Sequence, residues 1–201
     1  MKYDVLIIGG GAAGMSCALV LGSAKEKLFA KNKKIGLFTH QKTSHLQTAL
    51  FNNVLGLSPK TTGKTILEIG LQQLSELYPH VNRIANEKVL KIKDLSEEFL
   101  IITNRNEYKT KLVVIAIGYT KLLTIKGVEQ YIEPHNKTKS EKERIQLINN
   151  DHLVTKGMYV AGTLAGWRSQ FSIACGSGAS VATDILTLWN GGEHTKVHDK
   201  I

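Results

Sequence analysis

The chain is poor in cysteine. Cys17 and Cys175 are the only two among 201 residues, which excludes a disulfide framework. Neither lies in a Cys-x-x-Cys, so the dithiol pair of a thiol–disulfide relay is missing from the sequence. Two readings stay open for them: small buried residues, or a redox couple carried by the first and last helices. Long apolar runs are missing too. No run reaches the roughly 18 residues of a membrane span, and no cleavage site follows the opening "MKYDVLIIGGGAAG". The expectation is a cytoplasmic protein with no membrane partner. His194-x-x-x-His198 has helical spacing but follows Gly191-Gly192 in a polar tail and lacks a third ligand, so no metal site is expected. Repeats of solenoid period and low-complexity segments are also absent.

Apolar residues make up 42% of the chain, enough for an ordinary core, and the length suits one domain. The net charge is +9, carried mainly by lysines in "AKEKLFAKNKKIG", "EKVLKIK" and "HNKTKSEKERI", often beside Glu or Asp. Nucleic-acid surfaces gather Arg and aromatics on one element, and this pattern does not. It reads as a solvated basic surface, with steering of an acidic protein partner or weak nucleic-acid binding as the functional readings.

Along the chain, Tyr3 to Ile8 is a buried strand, and Ala12 to about Ala30 has helical spacing. Lys34 to Thr39 completes a βαβ unit, and Lys64 to about Tyr78 is a second helix. "PHVNRIANEKVLKIKDL" and "EEFLIITNRNEYKTKLVVIAIG" read as a β-meander turning at "NRNE", its last strand Lys111 to Ile117 being apolar enough to be central. Tyr119 to Lys156 shows no clear element. Met158 to Ala161 is a further strand. A final helix, Ser172 to Trp189, reads as entered through Gly176-Ser177-Gly178.

"GGGAAG" supplies Gly9-x-Gly11-x-x-Gly14 directly between a strand and a helix. A tight turn at Gly9, close approach of a pyrophosphate at Gly11 and helix–sheet packing at Gly14 are what a dinucleotide site needs there. The acid that usually grips the ribose is missing, because the second strand ends Thr39-His40. Ribose contact then falls to Thr39, His40, a backbone amide or water. A phosphorylated ribose calls for an Arg, and in the sequence only Lys42 stands close. "TTGKT" is no phosphate loop, since Ser58 occupies the position of its first Gly. The Tyr-x-x-x-Lys of short-chain dehydrogenases fails at Tyr119, Tyr131 and Tyr159, followed at that spacing by Leu123, His135 and Thr163.

The ordered set "GGGAAG", "FNNVLGL", "VVIAIG", "MYVAGT" and "QFSIACGSGAS" resembles the FAD domain of the thioredoxin reductase family, within the pyridine nucleotide-disulfide oxidoreductase superfamily. It is most similar to the small single-domain members. The resemblance implies a Rossmann-like FAD-binding α/β fold with a central parallel sheet, flanking helices and a β-meander, spanning 1–201 as one domain. It implies FAD, with Gly9, Gly11, Ala12, Ala13 and Gly14 at the pyrophosphate and Thr39 and His40 at the adenosine ribose. Val89 would present its backbone to the adenine, Ala116 and Gly118 would line the cofactor, and Gly162-Thr163 would meet the ribityl region. Gln170 and Phe171 would sit at the flavin pyrimidine, and Asn53 near its N5 or O4. Asn53 and Gln170 are the candidate catalytic residues.

The departures are specific. Residues 119–156 form a shortened connection where the family inserts a nicotinamide-binding domain, and residues 191–201 are a polar tail. Thr163 stands where larger members have Asp. The implied function is a FAD-dependent oxidoreductase taking electrons from free NAD(P)H or a redox protein, with homo-oligomerisation left open. The alternative is a non-catalytic FAD or nucleotide carrier or regulatory module; a third reading is an RNA-linked flavoprotein. Trp167 and Arg168 read either as an exposed turn or as a lid or docking patch over the flavin.

Overall fold

The computed structural model describes residues 1–40 and 46–197, so Lys42 and His198 lie outside the described residues. In chain order the elements are β1 (Lys2–Ile8), α1 (Ala12–Ser23), β2 (Ile35–Thr39), β3 (Leu50–Phe51), β4 (Thr61–Thr62), α2 (Gly63–Leu77), β5 (Asn82–Ala85), β6 (Val89–Asp94), β7 (Phe99–Thr103) and β8 (Glu107–Ile115). They continue with β9 (Ile132–Pro134), β10 (Ile145–Leu147), β11 (Leu153–Thr155), β12 (Met158–Val160) and α3 (Phe171–Trp189).

The main sheet runs β11-β12-β8-β1-β2-β5. Every pairing from β12 to β5 is parallel, and β11 adds an antiparallel edge. β1 sits in the middle because "VLII" is apolar on both faces: Val5, Leu6 and Ile7 have no exposure at all. Alternate residues of the central strands feed two cores. Val5, Ile7, Leu37 and Val114 pack beneath α1, α2 and α3. Leu6, Ile8, Phe38, Val113 and Ile115 pack against the meander and the connection.

β8 is the hinge of this arrangement. Its whole length pairs with β1 on one edge. On the other edge residues 107–110 pair antiparallel with β7, and residues 113–115 pair parallel with β12. The sequence shows the change of partner: "EYKT" alternates exposed and buried, whereas "LVVI" is buried throughout. The first half has one wet face and the second has none.

The structure departs from the sequence expectation in several places. "PHVNRIANEKVLKIKDL" divides: β5 joins the main sheet parallel to β2, and only β6 enters the meander, antiparallel to β7. α1 stops at Ser23, not Ala30; Ser23 Oγ turns back to the Val20 carbonyl at 2.8 Å, and the chain continues in tight turns through Ala30. Residues 119–156 do hold regular structure: β9 and β10 form a hairpin, and β11 joins the main sheet. Leu123, Ile125, Val128 and Leu147 bury themselves in the second core, at roughly 2 kcal/mol each, which orders a segment with no readable periodicity. Finally, α3 begins at Phe171, so Gly176-Ser177-Gly178 lies inside the helix rather than at its entry. α3 also passes a membrane-span test by length and mean hydropathy, which no single apolar run in the sequence suggested. Its Val181, Ala182, Ile185 and Leu186 are fully or almost fully buried in the first core.

Glu87, in the turn between β5 and β6, ties the meander to the sheet. Its carboxylate accepts from Thr103 Oγ1 at 2.7 Å, Tyr108 OH at 2.8 Å and Asn106 Nδ2 at 2.9 Å. Burial pushes the Glu87 carboxyl up, but those three donors and the charge of Arg105 outweigh it and hold it below its ordinary value. Glu98, between Lys109 and Lys2, is held down to about 2. Both groups have a folded pKa below the unfolded one. Their stabilisation is therefore complete above the unfolded value and is lost as pH falls through the folded one. Denaturation midpoints should be flat near neutrality and fall below about pH 4. Glu87→Gln should lower the midpoint at pH 7 and shrink, without abolishing, the acid limb. An acid limb of unchanged size in that variant would rule Glu87 out as a cause.

Candidate cofactor-binding cleft

A cleft of about 550 Å³ opens at the C-terminal ends of β1, β8 and β12. Two helices begin on it. α1 starts from Gly11 and α3 from Gln170, and neither has a side-chain cap or an acid in its first turn. α2, which starts away from the cleft, is capped by Thr62 Oγ1, accepting from the Thr65 amide at 3.2 Å. With no side-chain cap at either start, the two helices turn their positive dipole ends toward one cleft, where an anion would bind.

What holds them together is close packing of α1 on α3. At Gly178 a Cβ would lie 1.9 Å from the Ala13 carbonyl oxygen, so only glycine lets α3 approach that closely. Beside it, Ser177 Oγ accepts from the Gly162 amide at 2.7 Å, fixing the turn after β12. At Gly14 a Cβ would lie 1.8 Å from the Gly9 carbonyl, so this glycine packs the helix behind the turn and does not line the cleft.

Most residues singled out in the sequence meet here. Gly9, Gly11, Ala12 and Ala13 line one part of the wall, and Ala116, Gly118, Gly162 and Thr163 another. His40, Val89, Gln170 and Phe171 complete it. Two do not line it. Asn53 is exposed on the loop after β3, and Phe51 takes the inward place instead, its ring 5.3 Å from that of Phe171. Thr39 lies just behind His40, its Oγ1 accepting from Arg83 Nε at 3.1 Å. That bond corrects the expectation that no Arg stands near the ribose end, because β5 pairs beside β2 and brings Arg83 across 44 residues of sequence.

The sequence reading also missed Glu87, Lys88, Tyr119 and Arg144, all on the cleft wall. They sit in turns and in the aperiodic connection, where only pairing of distant segments decides direction. Thr163 is already engaged: its Oγ1 accepts from the Tyr119 amide at 2.9 Å. Its carbonyl accepts from His135 Nε2 at 2.9 Å, while His135 Nδ1 accepts from the Lys137 amide at 3.1 Å, which fixes the ring tautomer.

The cysteines are both free thiols. Burial pushes the fully enclosed Cys17 thiol up; it also raises Cys175, partly offset by a hydrogen bond with Ser16. Neither is activated as a thiolate. Trp167 and Arg168 do not line the cleft; the Trp167 ring stacks on His152 at 5.6 Å with Lys137 Nζ 5.2 Å from its centre. Among the described residues no cluster of His, Cys, Asp and Glu could hold a metal.

The two helix starts on the cleft, the glycine cradle at Gly9 to Ala13 and a buried Arg144 Nε without a hydrogen-bond partner fit a phosphate-bearing dinucleotide. With the central parallel sheet, they define a Rossmann-like dinucleotide-binding protein. The sequence matches the pyridine nucleotide-disulphide oxidoreductase family over residues 3–171, and the chain belongs to that family. It is 30% identical over 139 residues to a ferredoxin–NADP reductase of Streptococcus pneumoniae serotype 2, covering 66% of this chain and 41% of that protein. The chain thus spans well under half the length of that relative. A thioredoxin reductase structure from Gloeobacter violaceus superposes with a TM-score of 0.74 at 14% identity, covering 100% of this chain and 98% of that one. A ferredoxin-flavin thioredoxin reductase from Clostridium acetobutylicum gives 0.69 at 17% identity, covering 95% and 98%.

Proposed function

We propose that this chain is a FAD-dependent oxidoreductase domain that takes electrons from free NAD(P)H or a small acidic redox protein and has no dithiol relay of its own. The observation that carries the reading is the pair of helix N-termini, of α1 and α3, that open on one dinucleotide-sized cleft. Bound FAD would supply the electron and hydride chemistry. The amides around Gly9, Gly11, Ala12 and Ala13 would hold the pyrophosphate, with Gly14 packing behind them. Val89 would offer its backbone to the adenine and His40 would face the ribose. Gln170 and Phe171, at the start of α3, would direct amides and a partial positive charge at the flavin pyrimidine, favouring the negative charge it gains on reduction. Phe51 would close the apolar side of the site, the place first assigned to Asn53.

The names ferredoxin–NADP reductase and ferredoxin-flavin thioredoxin reductase support a ferredoxin as the protein donor, and the net charge of +9 would attract an acidic one. A non-catalytic FAD carrier is the second reading. It is favoured by the Thr163 hydroxyl, which stands in place of an acid and is already bonded to Tyr119.

Purified protein should show a visible flavin spectrum, with FAD as the extracted nucleotide. NADH, NADPH or reduced ferredoxin should then bleach it. A colourless chain that FAD does not reconstitute would overturn the proposal, and a flavin that none of the three donors reduces would leave the carrier reading in its place.

A further inference from the structure

We propose that Arg144 binds the pyrophosphate of the dinucleotide, as a fixed cation added to the helix amides by the 119–156 connection. The inference rests on the FAD reading above. In the sequence Arg144 sits within "SEKERIQL", which reads as charged surface. The fold turns it inward. Its carbonyl accepts from the His135 amide at 2.8 Å, and the next amide, of Ile145, donates to the Thr120 carbonyl at 3.0 Å. Clamped on both sides, the backbone sends the side chain to the cleft wall.

There the guanidinium lies 5.0 Å over the Tyr119 ring, and Nε is buried without a hydrogen-bond partner among the described residues. Two acids of the connection are engaged elsewhere. Glu143 pairs with Lys121 at 2.9 Å, and Glu133 accepts from Gln146 Nε2 at 2.7 Å. Glu87, on the same cleft wall, already accepts from Thr103, Tyr108 and Asn106. A buried guanidinium N–H with no acceptor is unfavourable unless a ligand supplies one. Stacking on an aromatic face leaves the in-plane N–H edge available, and that edge matches the oxygens of a phosphate. In oxidised FAD the adenine, ribose, ribityl chain and flavin ring are neutral, so the pyrophosphate is the anion this cation meets.

The test uses apo-protein titrated with FAD, followed by fluorescence, and with ADP and adenosine, followed by calorimetry. Arg144→Gln should weaken FAD and ADP by about 10- to 100-fold and leave adenosine within about twofold. Arg144→Lys should recover part of the ADP affinity, because the charge returns without the planar fork. Raising salt should weaken ADP binding more in wild type than in Arg144→Gln. Unchanged FAD and ADP affinity in Arg144→Gln would overturn the role of Arg144 alone. So would an equal loss of adenosine, which would indicate a stacking or folding role. A wild-type chain that binds neither FAD nor ADP would overturn the flavin reading and this inference with it.

Discussion

Gly178→Ala should destabilise the protein by about 3 kcal/mol or more, whereas Gly176→Ala, two residues away on the same helix, should stabilise it slightly. At position 178 the added Cβ would lie 1.9 Å from the Ala13 carbonyl oxygen and 2.7 Å from its carbon. Both are backbone atoms in the first turn of α1, so neither can swing aside as a flexible side chain would. Relief requires α1 and α3 to separate, which opens the first core around Cys17, Ala18, Val181 and Ala182. That places the cost at or above the usual range for overpacking. At position 176 nothing lies within 4 Å and the residue is exposed, so alanine only removes the helix penalty of glycine, a gain of up to about 1 kcal/mol. Urea denaturation of the two variants checks both signs. Equal effects would mean that the helix contact at Ala13 is looser than the structure has it. Gly178→Ala should also lose flavin, because the same displacement moves both helix starts on the cleft.

Gly9→Ala should cost FAD affinity at least about 100-fold, the second large effect. Gly9 has φ +113°, a conformation that side-chain-bearing residues rarely adopt. Its Cβ would also lie 2.6 Å from the Ala116 carbonyl oxygen and 2.9 Å from its carbon, at the end of β8. Both faults are backbone faults, and together they shift the turn that aims the first amides of α1. The strain itself is worth about 1–3 kcal/mol, so the domain should still fold. Gly10→Ala is the matched control. Its nearest contact is the Thr39 methyl at 2.9 Å, a side-chain atom, so it should bind FAD within about tenfold of wild type. Fluorescence titration with FAD separates the two, and similar affinities would remove Gly9 from the binding turn.

Much of the site was readable because it is local. Gly9, Gly11 and Gly14 are placed by one strand and one helix adjacent in sequence, so spacing alone carries their roles. "VLII" and "LVVI" are apolar on both faces, which marks central strands before any pairing is known. Gly162-Thr163 and Gln170-Phe171 were singled out only through the family resemblance, and the structure brings both pairs to the cleft wall.

What spacing could not supply is direction across long separations. Arg83 reaches Thr39 only because β5 pairs with β2. Arg144 faces the cleft only because the His135 amide and the Thr120 carbonyl clamp its backbone. Phe51, not Asn53, turns inward, a choice made by its packing on Phe171. The glycines of α3 show the limit most sharply. Gly176-Ser177-Gly178 looks like a second glycine turn, but helix spacing sends Gly176 to solvent and Gly178 against α1. The sequence by itself determined the opening βαβ unit, the glycine turn and the presence of a first and a last helix, because periodicity and local turns encode them. Only the tertiary structure decided which polar groups the cleft presents, because burial and charge there depend on segments that meet far apart in the chain.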